Sequence, residues 1–147
     1  MAKKKCVVFD LDGTLCDPTH RLKYIQCSPK QSECFHSSCV GDTLSPRVFE
    51  LYEMFRNSGY VMVILTCRPK KYEHLTVEWL KANGVKYDVL ISSDKQELTD
   101  DKAKKFYKEH FIDPEYEIAF AVDDRKMVID MWREEGITCL DVAGNTH

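Results

Sequence analysis

Short apolar runs alternate along this chain with stretches of helical period, and that alternation limits the fold more than any other feature. Cys6–Phe9, Tyr60–Leu65, Tyr87–Ile91, Ile118–Val122 and Ile137–Val142 read as strands. The first, second and fourth are continuously apolar, as strands buried on both faces of a parallel sheet are. Val48, Leu51, Tyr52 and Phe55 recur at helical spacing after Ser45-Pro46, and Leu75, Trp79 and Leu80 do so in a helix over 71–82. A Lys-rich helix capped by Thr99 or Asp100 runs through His110, and Met127, Val128, Met131 and Trp132 share one helical face before Gly136. Strands alternating with helices predict an α/β fold with a mostly parallel central sheet covered on both faces. The 147 residues form one domain, 1–147, in which 17–44 is a cap-like loop or small helical insertion.

Asp10 and Asp12 follow the first run directly, and Gly13 and Thr14 come next. In extended backbone, residues two apart point the same way, so both carboxylates project into one space. Like charges there raise each other's pKa unless a cation intervenes; a solvated turn is the alternative for this stretch alone. Thr66 and Arg68 follow the second run, and Asp123, Asp124 and Arg125 follow the fourth. A parallel sheet collects all these strand ends on one edge, where open α/β sheets bind their ligands. Crowded carboxylates require a cation, and hard oxygen ligands select Mg²⁺. A hydroxyl, backbone N–H groups and a guanidinium suit an incoming phosphate.

With 21 basic and 24 acidic residues the formal charge is −3, which gives no bulk attraction to nucleic acid or acidic membranes. No apolar segment approaches the ~18 residues of a membrane span. Seven cysteines without a regular framework fit reduced thiols and a cytoplasmic location. A zinc site can be drawn from Cys27, Cys34, His36 and Cys39, but no Cys pair at two-residue spacing anchors it. A loop or helical insertion over the site's mouth is the favoured reading of that region.

DLDGTL, VILT and AVDD, in this order, resemble the first, second and fourth motifs of the haloacid dehalogenase superfamily of aspartate-nucleophile phosphatases. VDDRKMVIDMWREEGITCLDVAGN is similar to the C-terminal part of the 3′-phosphatase domain of phage-type polynucleotide kinase-phosphatases. THRLKYIQ resembles the segment after motif one in stand-alone phage relatives. No GxxxxGK(S/T) phosphate loop of a kinase half occurs. The resemblance implies a Rossmann-like three-layer sandwich with a minimal cap. It implies Asp10 as nucleophile, Asp12 as general acid and base, and Thr66 as a phosphoryl contact. It implies Mg²⁺ held by Asp10, the Asp12 main chain and Asp123, with Asp124 acting directly or through water. Gly13, Thr14, Arg68 and Arg125 fall on the substrate side; orienting the carboxylates, or a buried ion pair, are the alternatives for Arg125. The motif-three lysine aligns without gaps at Ala103, and a one-residue shift selects Lys102 over Lys104.

The implied activity is Mg²⁺-dependent hydrolysis of a phosphomonoester through an aspartyl-phosphate, on a nucleic-acid 3′ end. Nucleotides or other small phosphoesters, and a non-catalytic binding protein of the same fold, are the alternatives. Arg21, Lys23, Arg68, Lys70 and Lys71 are the expected positive groups at the mouth, with Tyr24 and Phe35 available to stack a base. At −3 overall, such a site reads one or two terminal nucleotides rather than a long duplex.

Overall fold

The structure, a computed structural model, describes residues 2–143. Gly144 and Asn145, which end the C-terminal resemblance, lie outside them. In chain order the elements are β1 (Lys4–Phe9), β2 (Cys16–Asp17), α1 (Lys23–Gln26), α2 (Ser32–Ser37), β3 (Thr43–Leu44), α3 (Pro46–Asn57), β4 (Val61–Pro69), α4 (Glu73–Ala82), β5 (Val89–Ser93), α5 (Asp100–Tyr107), β6 (Tyr116–Asp123), α6 (Lys126–Glu134) and β7 (Thr138–Asp141). Five strands form one sheet in the order β5-β4-β1-β6-β7, and all four pairings are parallel.

The alternation of side chains along β1 and β4 divides the core in two. Cys6, Val8, Val63 and Leu65 point to one face, where they meet Tyr107 of α5 and Val128, Ile129 and Trp132 of α6. Val7, Phe9, Met62 and Ile64 point to the other, against Tyr52 of α3 and Trp79 and Leu80 of α4. Helices therefore cover both faces of the sheet, in three layers.

Register fixes the site. Phe9 pairs with Ile64 on one side and Val122 on the other, so Asp10, Thr66 and Asp123 emerge at the same sheet edge. β4 runs on through Thr66 and Arg68 to Pro69, so these two residues lie within the strand rather than after it. β5 starts at Val89 rather than Tyr87, because the Asp88 carboxylate caps the Met62 N–H at 2.8 Å. α5 ends at Tyr107 rather than His110 and continues as a wider turn over Lys108–Ile112.

β2 and β3 pair antiparallel, Cys16 with Leu44 and Asp17 with Thr43. They bring both ends of the 17–44 insertion to one stem, above which α1 and α2 stand as a small cap. Among the described residues, Cys27, Cys34, His36 and Cys39 do not form a cluster of metal-ligand atoms. All seven cysteines are free thiols, and among the described residues no helix is long and apolar enough to cross a membrane.

Candidate active site

A cleft of about 310 Å³ opens at the C-terminal strand edge, with Asp10, Asp12, Thr66, Arg68, Lys104, Asp123 and Arg125 in its lining. Asp10 lies at its floor, its two carboxylate oxygens held differently. Oδ1 accepts from the Lys104 ammonium at 2.8 Å, and Oδ2 accepts from the Thr14 hydroxyl at 3.0 Å. Thr14 is buried and also reaches Asp124 Oδ1 at 3.3 Å. Its hydroxyl thus fixes carboxylates rather than facing substrate. Gly13 has φ +83°, and a Cβ there would stand 2.2 Å from Asp124 Oδ2. The residue is required for backbone direction and for room beneath Asp124.

The lysine that reaches Asp10 is Lys104, not Lys102. Its ammonium bridges Asp10 and Asp123, at 2.8 Å to each, from a nearly buried position. α5 turns Ala103, Lys104 and Tyr107 inward. Residues two apart on a helix point about 200° apart, so Lys102 faces solvent once Lys104 faces in. Burial alone would lower the Lys104 pKa, but the carboxylates of Asp10 and Asp123 outweigh it and hold the ammonium charged.

Asp12 has a different set of partners, themselves held by two residues, Asp42 and Thr76, that sequence reasoning missed. Arg68 donates to it from Nη2 at 2.7 Å and Nε at 3.1 Å, and Arg21 from Nη2 at 2.6 Å. Behind them Asp42, also buried, accepts from Arg21 at 2.8 and 2.7 Å and from Arg68 at 3.2 Å. The remaining Arg68 nitrogen donates to Thr76 at 3.0 Å. Burial would raise the Asp12 carboxyl; the charge and hydrogen bonds of Arg68, then the charge of Arg21, hold it well below the usual carboxylate range. Arg21 and Arg68 were expected at the mouth, facing substrate. Both are buried, and their guanidiniums are used in holding Asp12.

This network makes Asp42 structurally costly to lose. Asp42→Ala leaves the buried Arg21 guanidinium without its main partner, and breaking a buried pair from one side costs about 3–5 kcal/mol. A urea melt of the variant is expected to show that loss; a midpoint equal to that of the parent protein would contradict it.

Among the described residues, two acidic clusters bring ligand-type atoms within 4.8 Å of one another: Asp10–Asp123–Asp124 and Asp12–Cys16–Asp42. The second already holds two guanidiniums and needs no further cation. The first has one ammonium for three carboxylates. Burial, followed by the charge of Asp10, raises the pKa values of both Asp123 and Asp124. Three hard oxygen donors at such close range fit a divalent cation of the Mg²⁺ kind. Asp123 is further oriented by the N–H groups of Asp124 at 2.8 Å and Arg125 at 3.2 Å, both on Oδ1. The Arg125 guanidinium donates to Asp100 on the cleft's rim, so its ion pair is half-exposed rather than buried.

Thr66 is buried in the lining, where its hydroxyl accepts the Arg68 N–H at 3.1 Å. Lys23, Tyr24, Lys70 and Lys71 do not line the cleft: Lys71 pairs with Glu33 at 2.6 Å, and Lys23 lies over the Tyr24 ring at 5.2 Å. Phe35 is the expected stacking residue that does line the cleft.

A sequence model of the polynucleotide kinase PNKP phosphatase domain matches residues 4–147. The chain belongs to that family. A chain in the structure of the Pnkp1/Rnl/Hen1 complex is 30% identical, with a TM-score of 0.84, over 97% of this chain and 47% of that one. A chain in the Pnkp1/Rnl/Hen1 RNA repair complex is also 30% identical, with a TM-score of 0.82, over 95% of this chain and 42% of that one. The present chain therefore spans less than half the length of these two relatives. A haloacid dehalogenase-like hydrolase from Streptococcus pneumoniae shares the fold at 19% identity and a TM-score of 0.65, over 94% of this chain and 84% of that one. As a PNKP-type phosphatase domain, the chain is a phosphatase of the haloacid dehalogenase superfamily.

Proposed function

We propose that this PNKP-type domain removes the terminal 3′-phosphate of a polynucleotide or nucleotide, through a phosphoryl group carried on Asp10. The observation that carries the reading is the Asp10 carboxylate, held by Lys104 and Thr14 at the floor of a cleft open to solvent. An Asp10 oxygen attacks phosphorus, and the bond from phosphorus to the ester oxygen breaks. The leaving oxygen takes a proton from Asp12. Asp12 then accepts a proton from water as that water attacks phosphorus, and the bond from Asp10 to phosphorus breaks to release inorganic phosphate.

Arg21 and Arg68 favour the ionised form of Asp12, which suits the second step. In the first step the arriving phosphate adds negative charge beside Asp12 and opposes that preference, which helps the carboxyl to take up the proton it must donate. Lys104 stabilises negative charge on Asp10 and on the transferring group, and Thr66 and the backbone N–H groups beside it are the phosphoryl contacts. Asp10, Asp123, Asp124 and the Asp12 main-chain carbonyl would hold Mg²⁺, which supplies electrostatic stabilisation of the phosphoryl oxygens. Arg125 serves the rim through Asp100, and its backbone N–H orients Asp123.

A cleft of about 310 Å³ is at the small end of ligand pockets and suits a terminal nucleotide rather than a duplex. The test is phosphate release from a short 3′-phosphorylated oligonucleotide, its 5′-phosphorylated isomer and a nucleoside 3′-monophosphate, each with Mg²⁺ and with EDTA. Release from both 3′-phosphates at comparable rates, lost in EDTA and not restored by Ca²⁺, is expected. Full activity in EDTA would contradict the metal assignment. Turnover of sugar phosphates alone would contradict the substrate.

A further inference from the structure

The two walls of the cleft differ in what they offer a substrate. The cap side is formed by Ile25, Phe35 and His36. The opposite side carries Gln96, Asp100 and Arg125, with Gln96 in the turn between β5 and α5. Asp100 and Arg125 satisfy each other through their ion pair. Gln96 is exposed, yet its amide is held firmly at one end. Nε2 donates to Cys67 O at 3.2 Å and to Ser93 O at 3.3 Å. A carboxamide nitrogen carries two hydrogens, and these two backbone carbonyls take up both. The amide is therefore pinned across the ends of β4 and β5, with Oε1 on the far side of the carboxamide carbon. No group among the described residues donates to that oxygen.

The chain itself sets the distance from Gln96 to the phosphate. Cys67 lies between Thr66, the proposed phosphoryl contact, and Arg68, which holds Asp12. An amide 3.2 Å from Cys67 O thus sits beside the phosphate-binding turn. A carbonyl oxygen there is no partner for an anion, since both are acceptors. It requires a donor on the group that carries the phosphate. In a nucleoside 3′-phosphate the donor nearest the ester oxygen is the ribose 2′-hydroxyl, on the adjoining carbon. Donors on the base lie farther away and change with the base. A 2′-deoxyribose has only C–H at that position.

We infer that Gln96 Oε1 accepts a hydrogen bond from the ribose 2′-hydroxyl, so that the domain favours ribonucleoside 3′-phosphates, and hence RNA 3′ ends, over their 2′-deoxy counterparts. The 2′-hydroxyl is the group by which a protein tells RNA from DNA at a single sugar. A polar group placed to receive it discriminates against the analogue that lacks it. The two bonds from Nε2 fix Oε1 before substrate arrives, so little side-chain freedom is lost on binding. The inference rests on the 3′-phosphatase reading and names the sugar of its substrate. Gln96 acts on specificity alone, because the reacting atoms lie at Asp10.

The experiment compares kcat/KM for adenosine 3′-monophosphate, its 2′-deoxy and 2′-fluoro-2′-deoxy analogues, and glycerol 2-phosphate. The parent protein, Gln96→Met and Gln96→Ala are each measured. The parent is expected to favour the ribonucleotide about three- to tenfold over the deoxy analogue, the size of one hydrogen bond. The fluoro analogue keeps an electronegative substituent but has no hydrogen to donate, and should fall with the deoxy compound. Both substitutions should bring the ribo-to-deoxy ratio close to one. That ratio is taken within one preparation, so neither the fraction folded nor a loss common to all substrates affects it. A parent that treats ribo and deoxy substrates alike would overturn the inference. So would a fluoro analogue as good as the ribonucleotide, or a preference that survives both substitutions; Gln96 would then be a brace between β4 and β5. Turnover of glycerol phosphate without turnover of any nucleoside 3′-phosphate would instead defeat the 3′-phosphatase reading, and the inference with it.

Discussion

Asp10→Asn is expected to reduce kcat on a 3′-phosphorylated substrate by about 10⁴-fold or more, while the protein remains folded. The amide is nearly isosteric with the carboxylate, so Thr14 can still donate to an oxygen at that position, as it does at 3.0 Å now. The amide cannot supply the attacking anion, and losses of this size follow removal of a nucleophile that acts as a unit with its neighbours. Asn also weakens the Asp10–Asp123–Asp124 group as a cation site, so the loss should not be recovered at high Mg²⁺. Steady-state kinetics beside a thermal melt check this; near-parental kcat in Asp10→Asn would remove Asp10 from the mechanism.

The second large effect separates two lysines that lie two residues apart. Lys104→Ala is expected to reduce kcat by about 10²–10³-fold, as removal of a preorganised charge from a dry site does. It should also lower stability in metal-free buffer by about 3–5 kcal/mol, because Asp10 and Asp123 lose the ammonium that bridges them at 2.8 Å. Mg²⁺ should restore part of that stability by taking the place of the missing positive charge. Lys102→Ala, on the solvent face of α5, should stay within about 0.5 kcal/mol and retain its kinetics. Paired melts with and without Mg²⁺, and kinetics on both variants, distinguish the two positions. Equal, mild losses would mean that neither lysine serves Asp10.

The lysine assignment shows where the sequence ceased to be legible. The strand ends could be read because a continuous apolar run followed by Asp, or by Thr and then Arg, is a local pattern, and parallel topology does the rest. Asp10, Thr66 and Asp123 arrive at one edge for that reason. Lys104 could not be chosen by alignment alone, since Lys102, Lys104 and Lys105 are chemically alike and only the inward face of α5 separates them. One signal was present, and it was weak: at about 100° per residue the Ala103–Tyr107 stripe centres about 80° from Lys104 and about 120° from Lys102, while Lys105 lies opposite it.

The Arg21–Asp42 pair was less accessible still. Arg21 and Asp42 lie at opposite ends of a cap without clean periodicity, and their contact exists only because β2 and β3 close that cap into a stem. A buried guanidinium runs against the ordinary expectation that Arg is exposed, so composition pointed Arg21 and Arg68 toward solvent and substrate. The compensation lies in geometry: two carboxylates and two guanidiniums arranged so that each charge meets an opposite one. His36 was read only as a metal-ligand candidate for the same reason, since its place in the cleft wall depends on the packing of the cap.

The most direct test of the account is a covalent trap. The protein is mixed with an oligonucleotide bearing a radiolabelled 3′-phosphate, in Mg²⁺, and quenched in acid within a single turnover. An acyl phosphate on Asp10 predicts protein-bound label that is stable in acid, released by hydroxylamine, confined to the peptide containing Cys6–Leu15, and absent from Asp10→Asn. Release of phosphate from the 3′ end at the parental rate, with no labelled protein at any time or with label on another residue, would contradict it.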